Sequence, residues 1–463
     1  MHALPPLQPD APRSAALVDE EFAPVAQGTA PHYTTPTFNQ GRPMNRRLPA
    51  LILGATFGVT LGVTAGCSPP SDGASLADTP SDTPSHTPAG TALPSDHLFA
   101  WTAAADTTQP DFLAVLDVRP GAPGDRYGGL VTTLPVPGVR NDPHHTEHEM
   151  PADGRLFANG YVTGQTWVFD LTTPETPRLA AQFGDLDGYA HPHSYVRLPN
   201  GNVLASFHMR HDAEGMTPGG LVEITPRGEA VRSSSAFGAG LPREARTYSL
   251  AVVPALDRVV STTTDMDERN PHLAREVQVW RLSDLALLHT FELPPGPRGD
   301  EADYTAEPRV LSDGRTVIVT TFSCGIYLLE GLEGEAPGGR FVASLPRSED
   351  TWCAIPVVSG DHLVITVEEI PGVVSLDLAD PVQPREVGRV TLPEGWVPHW
   401  LALEPNGRRL VLTGHGAMAN RVILLSHDPA TGALALDERF RDEGAAEPGV
   451  RLAGVPHGAV FSR

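Results

Sequence analysis

The chain of 463 residues contains no lysine, and its acids outnumber its bases for a formal charge of −23. Arginine therefore carries every side-chain cation apart from histidine, a bias whose simplest source is a GC-rich genome. A surface of this sign repels phosphate, and without a basic stripe nucleic-acid binding is excluded. No GxSxG, P-loop or dinucleotide fingerprint occurs, so nucleotide-dependent chemistry has no support. Aromatics make up only 6% of the chain and there are three cysteines. The one apolar run, MNRRLPALILGATFGVTLGVTAGC from Met44, is broken by glycines and falls short of the ~20 residues a membrane span needs. Beyond it, no stretch keeps a helical period.

What the chain has instead is glycine and proline, 45 and 47 residues, and a phrase that recurs. An apolar-Pro-His or His-His start is followed by a strand, a Pro/Asn/Asp/Gly turn and a second strand. It reads HHTEHEMPADGRLFANG from His144, HPHSYVRLPNGNVLASF from His191, VPHWLALEPNGRRLVLT from Val397 and VPHGAVFSR from Val455. In the first three copies a histidine stands six residues before the turn proline: His145, His193 and His399; His457 takes that place in the last. TYSLAVVPALDRVVSTT puts Tyr248 there, and two further copies aligned on Gly314 and Gly360 put Ala306 and Trp352 near it. Seven copies at intervals of roughly 40–60 residues mean a solenoid or a propeller.

Units such as QTWVFDLTTPETPRLAAQF and GVVSLDLADPVQPREVGRV pair the outer strands. VPHGAVFSR has no strands after it, and the strands HLFAWTA and DFLAVLDV near His97 have no first strand before them. The expected fold is all-β: a seven-bladed β-propeller over residues 96–463, closed by the N-terminal strands pairing with the C-terminal one. Inner strands of a propeller line its channel, so equivalent positions converge on the axis. Four neutral imidazoles there, His145, His193, His399 and His457, suit one ion of iron, copper or zinc. His144 and His148 are expected at the rim or behind the ligands, since alternate strand residues face opposite ways. Glu147, Glu149 and Glu307 are candidate acceptors for the imidazole N–H groups. Tyr248 and Trp352 are expected to line a substrate pocket. His208, His211 and His415 read as solvated loop histidines, and Asp265 and Asp267 lack the glycine and glutamate of a calcium loop.

The run ending at Cys67 has a basic start, an apolar core and small residues before cysteine. It resembles a bacterial lipoprotein signal over residues 44–67, with Cys67 carrying the lipid. Residues 1–43 then form an upstream stretch, from a mis-assigned start or as a disordered extension, and 68–95 a Ser/Thr/Pro spacer. The expected location is outside the cytoplasm, periplasmic or anchored to the outer membrane by lipid alone. Export makes Cys324 and Cys353 a candidate disulfide, two separate thiols being the alternative.

The pair His144-His145, Pro192-His193 followed by LPNG, Pro398-His399 with PNGRRLVLT, and Pro456-His457 together resemble the selenium-binding protein / methanethiol oxidase family. That resemblance implies a propeller with histidine-bound copper acting as an oxidase of small thiols, with dioxygen and a small-molecule substrate as partners. Two departures stand out: Val196 and Arg197 occupy the place of a further histidine after Pro-His, and EHEMPADG replaces the paired-cysteine stretch linked to selenium. Selenium binding is therefore not carried over. The four axial histidines also resemble the ferrous-iron centre of carotenoid-cleaving oxygenases, which makes iron the alternative metal. A surface propeller binding a protein partner, without metal, is the reading from another class.

Overall fold

In the computed structural model, residues 93–463 are described, apart from 122–125, 213–214, 239 and 268–269. The signal-like segment, Cys67 and most of the spacer lie outside the described residues. Within them, β-strands joined by turns form seven sheets of four strands, one with a short additional strand. A helical turn at Pro254–Leu256 is three residues long. This is a seven-bladed β-propeller.

Blade 1 runs from the inside out through Pro143–Thr146, Arg155–Gly160, Gln165–Asp170 and Arg178–Phe183. The inner strands of blades 2 to 6 are Tyr189–Arg197, Leu250–Val253, Thr305–Val310, Cys353–Ser359 and Trp396–Leu403. Blade 7 takes its inner strand, Gly454–Phe461, from one end of the chain and His97–Ala104, Phe112–Asp117 and Leu130–Pro135 from the other. Gly454–Phe461 pairs antiparallel with His97–Ala104, and each inner strand touches the next all the way round.

Burial follows the layering. In blade 1 the first strands are almost wholly buried, whereas Arg178–Phe183 alternates exposed and half-buried residues, as one solvated sheet face requires. Between blades, apolar side chains of facing sheets interdigitate: Phe99, Trp101 and Leu113 of blade 7 meet Leu156, Trp167 and Phe169 of blade 1. The glycine of the repeated turn has a local cause. Gly154, Gly201 and Gly407 sit at φ +67°, +85° and +75°, where a side chain would strain the backbone.

A second repeated device bears on the channel. Where the key histidine sits, the inner strand carries one residue more than its partner. His144 and His145 together face Asn159, and His193 and Ser194 face Ser206; His399 is the extra residue between Pro398 and Trp400; His457 and Gly458 face Trp101. Such a bulge re-aims side chains and bends the strand. The proline that precedes His144, His193, His399 and His457 fits here because a bulge interrupts the ladder that needs its missing N–H.

A polar residue of the second strand ties several blades to the next. Asn159 Nδ2 donates to Pro192 O at 2.8 Å, Ser206 Oγ to Tyr248 O at 2.6 Å and Thr262 Oγ1 to Ala306 O at 2.6 Å. Thr366 Oγ1 donates to His399 O at 3.2 Å, and Thr413 Oγ1 to His457 O. Trp101 takes the same place in blade 7, its indole N–H reaching Asn159 O at 2.7 Å. These buried bonds satisfy carbonyls that the bulges free, and they fix the strands that carry the histidines.

Candidate metal centre

Seven histidine rings gather at one end of the channel. His144 and His145 stack 4.2 Å apart with ring planes 6° from parallel. His193 lies 4.3 Å from His145 and 5.0 Å from His144 between ring centres. His457 is 4.3 Å from His144 and 4.7 Å from His399. Among the described residues, two triads each bring one nitrogen per ring within 4.8 Å of the others: His144, His145 and His193, and His145, His399 and His457. The four repeat-position histidines therefore lie in one cluster.

Three expectations from the sequence need correction. His144 is no rim residue: the bulge turns it inward with His145, and its Nε2 stands 3.1 Å from His193 Nε2. His208 and His415 are not solvated loop residues. They close the second strands Val203–Asp212 and Arg409–Gly416, and an antiparallel hairpin returns that end to the start of the inner strand. His208 is fully buried 4.6 Å from His193, and His415 lies 5.0 Å from His399. His211, by contrast, is exposed beside Asp185. Glu147 and Glu307 do not accept from imidazoles either. Glu147 is paired with Arg197 and accepts from Phe157 N, and Glu307 is paired with Arg309 and accepts from Ser249. Glu149 is exposed. The two glutamates find arginines because the inner strands carry Arg197 and Arg309 at the same depth, and a buried carboxylate needs a countercharge.

Backbone carbonyls do the orienting instead. His193 Nδ1 is 3.0 Å from Tyr248 O and His457 Nδ1 is 2.9 Å from His144 O, so each ring carries its proton on Nδ1. That leaves the Nε2 lone pair facing inward, the arrangement of a ligating imidazole. His145 Nε2 and His399 Nε2 are buried without a hydrogen-bond partner. Burial, reinforced by the neighbouring rings, holds His144, His145, His193, His399 and His457 well below the ordinary histidine pKa. They are neutral at pH 7 and ready to donate lone pairs.

The residues fit a metal ion. Four nitrogens set tetrahedrally at 2.0–2.1 Å from zinc or a similar ion lie about 3.3 Å apart, close to the 3.1 Å between His144 Nε2 and His193 Nε2. Orphaned inward nitrogens would otherwise cost about 1–3 kcal/mol each.

The cluster has a floor and a wall. His148 stacks on Trp400 at 4.3 Å, its Nδ1 3.3 Å from Leu401 O, and Arg309 Nη2 donates to its Nε2 at 3.0 Å. Arg309 thus spans the channel from blade 4 to blade 1 and, with Nε on Pro356 O at 2.9 Å, also holds blade 5. On the side without histidines stand aromatics. Tyr248 is fully buried, 4.2 Å from His193 and 5.6 Å from Phe322, with its hydroxyl unpartnered. Trp352 packs edge-on to Tyr304 at 5.6 Å beneath the Arg347 guanidinium, one residue from Cys353. Of the two expected pocket residues, Tyr248 touches the cluster, whereas Trp352 contacts Tyr304 and Arg347. Cys324 and Cys353 are bonded to each other and join blades 4 and 5 behind this wall.

The chain is also similar in sequence to known proteins. The likeness is to methanethiol oxidases and selenium-binding proteins. A methanethiol oxidase of Hyphomicrobium is 30% identical over 142 residues, 29% of this chain and 31% of its own length. One of Danio rerio is 23% identical over 241 residues, 45% and 49%. Selenium-binding protein 2 of Arabidopsis thaliana is 26% identical over 313 residues, 61% and 60%. The chain thus spans between about a quarter and three fifths of the length of the curated relatives it matches. No family model matches it. Among solved structures, a hypothetical selenium-binding protein of Sulfolobus tokodaii superposes with a TM-score of 0.66 at 17% identity, over 81% of this chain and 97% of its own. That superposition concerns the fold.

Proposed function

We propose that this protein is a copper-dependent oxidase of small thiols, using dioxygen. The observation that carries the reading is the cluster of neutral, inward-facing imidazoles drawn from blades 6, 7, 1 and 2; the similarity to methanethiol oxidases supplies the reaction class. His145, His193, His399 and His457, with His144, would hold the metal. Imidazole nitrogen suits copper, and a bound copper would mediate electron transfer between thiol and oxygen. Iron is the alternative that the donor set also accepts.

The chain's own groups do the rest. Carbonyls of Tyr248 and His144 hold two of the rings by their Nδ1 protons. The Arg309–His148–Trp400 stack backs the cluster, with Trp400 5.0 Å from His145 between ring centres. The aromatic side, Tyr248 and Phe322, offers a small apolar surface against which an alkyl thiol can lie. Tyr248 carries a buried hydroxyl whose pKa burial raises well above the ordinary tyrosine value, so it is a neutral donor there. The resemblance of the run ending at Cys67 to a lipoprotein signal supports export with a lipid anchor, and the Cys324–Cys353 bond supports an oxidising compartment.

The test is elemental analysis of protein purified from the periplasm, followed by methanethiol-dependent oxygen uptake. Copper with uptake that disappears in His193→Ala supports the reading; iron would favour the oxygenase alternative. A metal-loaded protein inert to every small thiol would refute it.

A further inference from the structure

We propose that the histidine cluster holds two metal ions rather than one, the first at blades 1 and 2 and the second at blades 6 and 7. The inference deepens the metal-centre reading and rests on it. Its basis is the outline of the cluster, which is a ribbon and not a ring about one point.

From one end the rings run His208, His193, the His144–His145 pair, His457, His399 and His415. Successive centres are 4.6 Å, 4.3 to 5.0 Å, 4.3 to 5.5 Å, 4.7 Å and 5.0 Å apart. An ion of this class takes four ligands, at times five, at about 2.0–2.1 Å. Its donor nitrogens then stand within roughly 4 Å of one another, which the two ends of such a ribbon cannot satisfy together. The nitrogens divide accordingly into the two triads, and only His145 belongs to both.

Each half is also built as a site in its own right. The blade 1–2 half has His193 locked by Tyr248 O, and it contains the unpartnered nitrogens of His145 and of fully buried His208. The blade 6–7 half has His457 locked by His144 O and the unpartnered Nε2 of His399, with His415 against both rings. Buried polar atoms without partners are rare, and here they occur on both sides of His145. One four-coordinate ion would leave the other side unsatisfied. Neither triad contains a carboxylate, so two ions would repel with little local compensation. This arrangement favours a singly charged, nitrogen-accepting ion such as copper(I) and makes the second ion bind more weakly than the first.

The experiment is an anaerobic titration of the metal-free full chain with copper(I) against a competing chelator, with bound metal counted after gel filtration. Two equivalents per chain, in two steps at least tenfold apart, are expected. His144→Gln with His193→Gln should remove one equivalent and leave the other, and so should His399→Gln with His457→Gln. Saturation of the wild-type chain at one equivalent, lost in either double variant, overturns the two-ion proposal while leaving the metal-centre reading standing. No binding by the wild-type chain overturns both. Should either variant fail to give the metal-free melting profile of the wild type, the wild-type count decides alone. It is checked by magnetic coupling between two copper(II) ions after oxidation: coupled spins support two ions, and an isolated spin overturns the proposal.

Discussion

Replacing Arg309 with methionine should loosen the propeller from its centre, by an amount that its contacts set. The guanidinium donates to Glu307 Oε2 at 2.6 Å, to Pro356 O at 2.9 Å and to His148 Nε2 at 3.0 Å. Methionine keeps the apolar stem and removes every donor. Losing the bonds to Pro356 O and His148 costs about 1 kcal/mol each. Glu307 suffers more: it is 1% exposed and would keep only the Ser249 hydroxyl at 2.6 Å. Stranding a buried carboxylate costs roughly 3–5 kcal/mol. The total, about 5–7 kcal/mol, should appear in urea denaturation of the metal-free protein followed by tryptophan fluorescence. Neutralising the stranded charge separates its cost from that of the lost hydrogen bonds. Glu307→Gln added to Arg309→Met should recover more than half of the loss, although Glu307→Gln in the wild-type background destabilises. A cost below about 1 kcal/mol for Arg309→Met, or no recovery in the double variant, would show that the pair is not the brace described here.

Other expectations follow from the same contacts. Asn159→Ala removes the acceptor for His145 N and the donor to Pro192 O; it should cost about 2–4 kcal/mol and weaken metal binding, as metal titration would show. Reducing the Cys324–Cys353 bond, which closes a loop of 29 residues, should lower stability by roughly 3–4 kcal/mol on the chain-entropy model; matched melts with and without reductant test this. The buried histidines have folded pKa values well below the ordinary one. Unfolded, they bind protons from about pH 6.5 downward while the native state does not. The metal-free protein should therefore lose stability as pH falls below about 6.5, each such histidine adding up to about 1.4 kcal/mol per pH unit. A flat profile between pH 7 and 5 would contradict their burial.

The repeat made the architecture legible, because each blade must present an inner strand, a tight turn and a second strand, and these leave Pro-His and Pro-Asn-Gly marks. The histidine at a fixed distance from the turn proline marked four rings of the cluster for the same reason. What strand alternation hid was the bulge. It predicts that neighbours face opposite ways, yet His144 and His145 both face inward because they stand together against Asn159. His208 and His415 were missed for a different reason. Each lies past the turn, and only the antiparallel return of the hairpin brings the end of a second strand back to the mouth. In register, Val397 faces His415, two residues from His399; counting back across the turn would have revealed it. The glutamates were misread because sequence spacing shows which residues share a strand but not which countercharge is at the same depth. Arg197 and Arg309 claim Glu147 and Glu307.

Blade 7 joins the two ends of the fold along one hydrogen-bonded seam, and His457 lies on that seam. Any opening of the ring there pulls His457 away from His144 and His399. A metal held by those rings would act as a clasp, adding its binding free energy to the work of unzipping. Resistance to proteolysis at the seam would then report metal occupancy, and metal starvation would be read by the cell as a propeller that comes undone at one place.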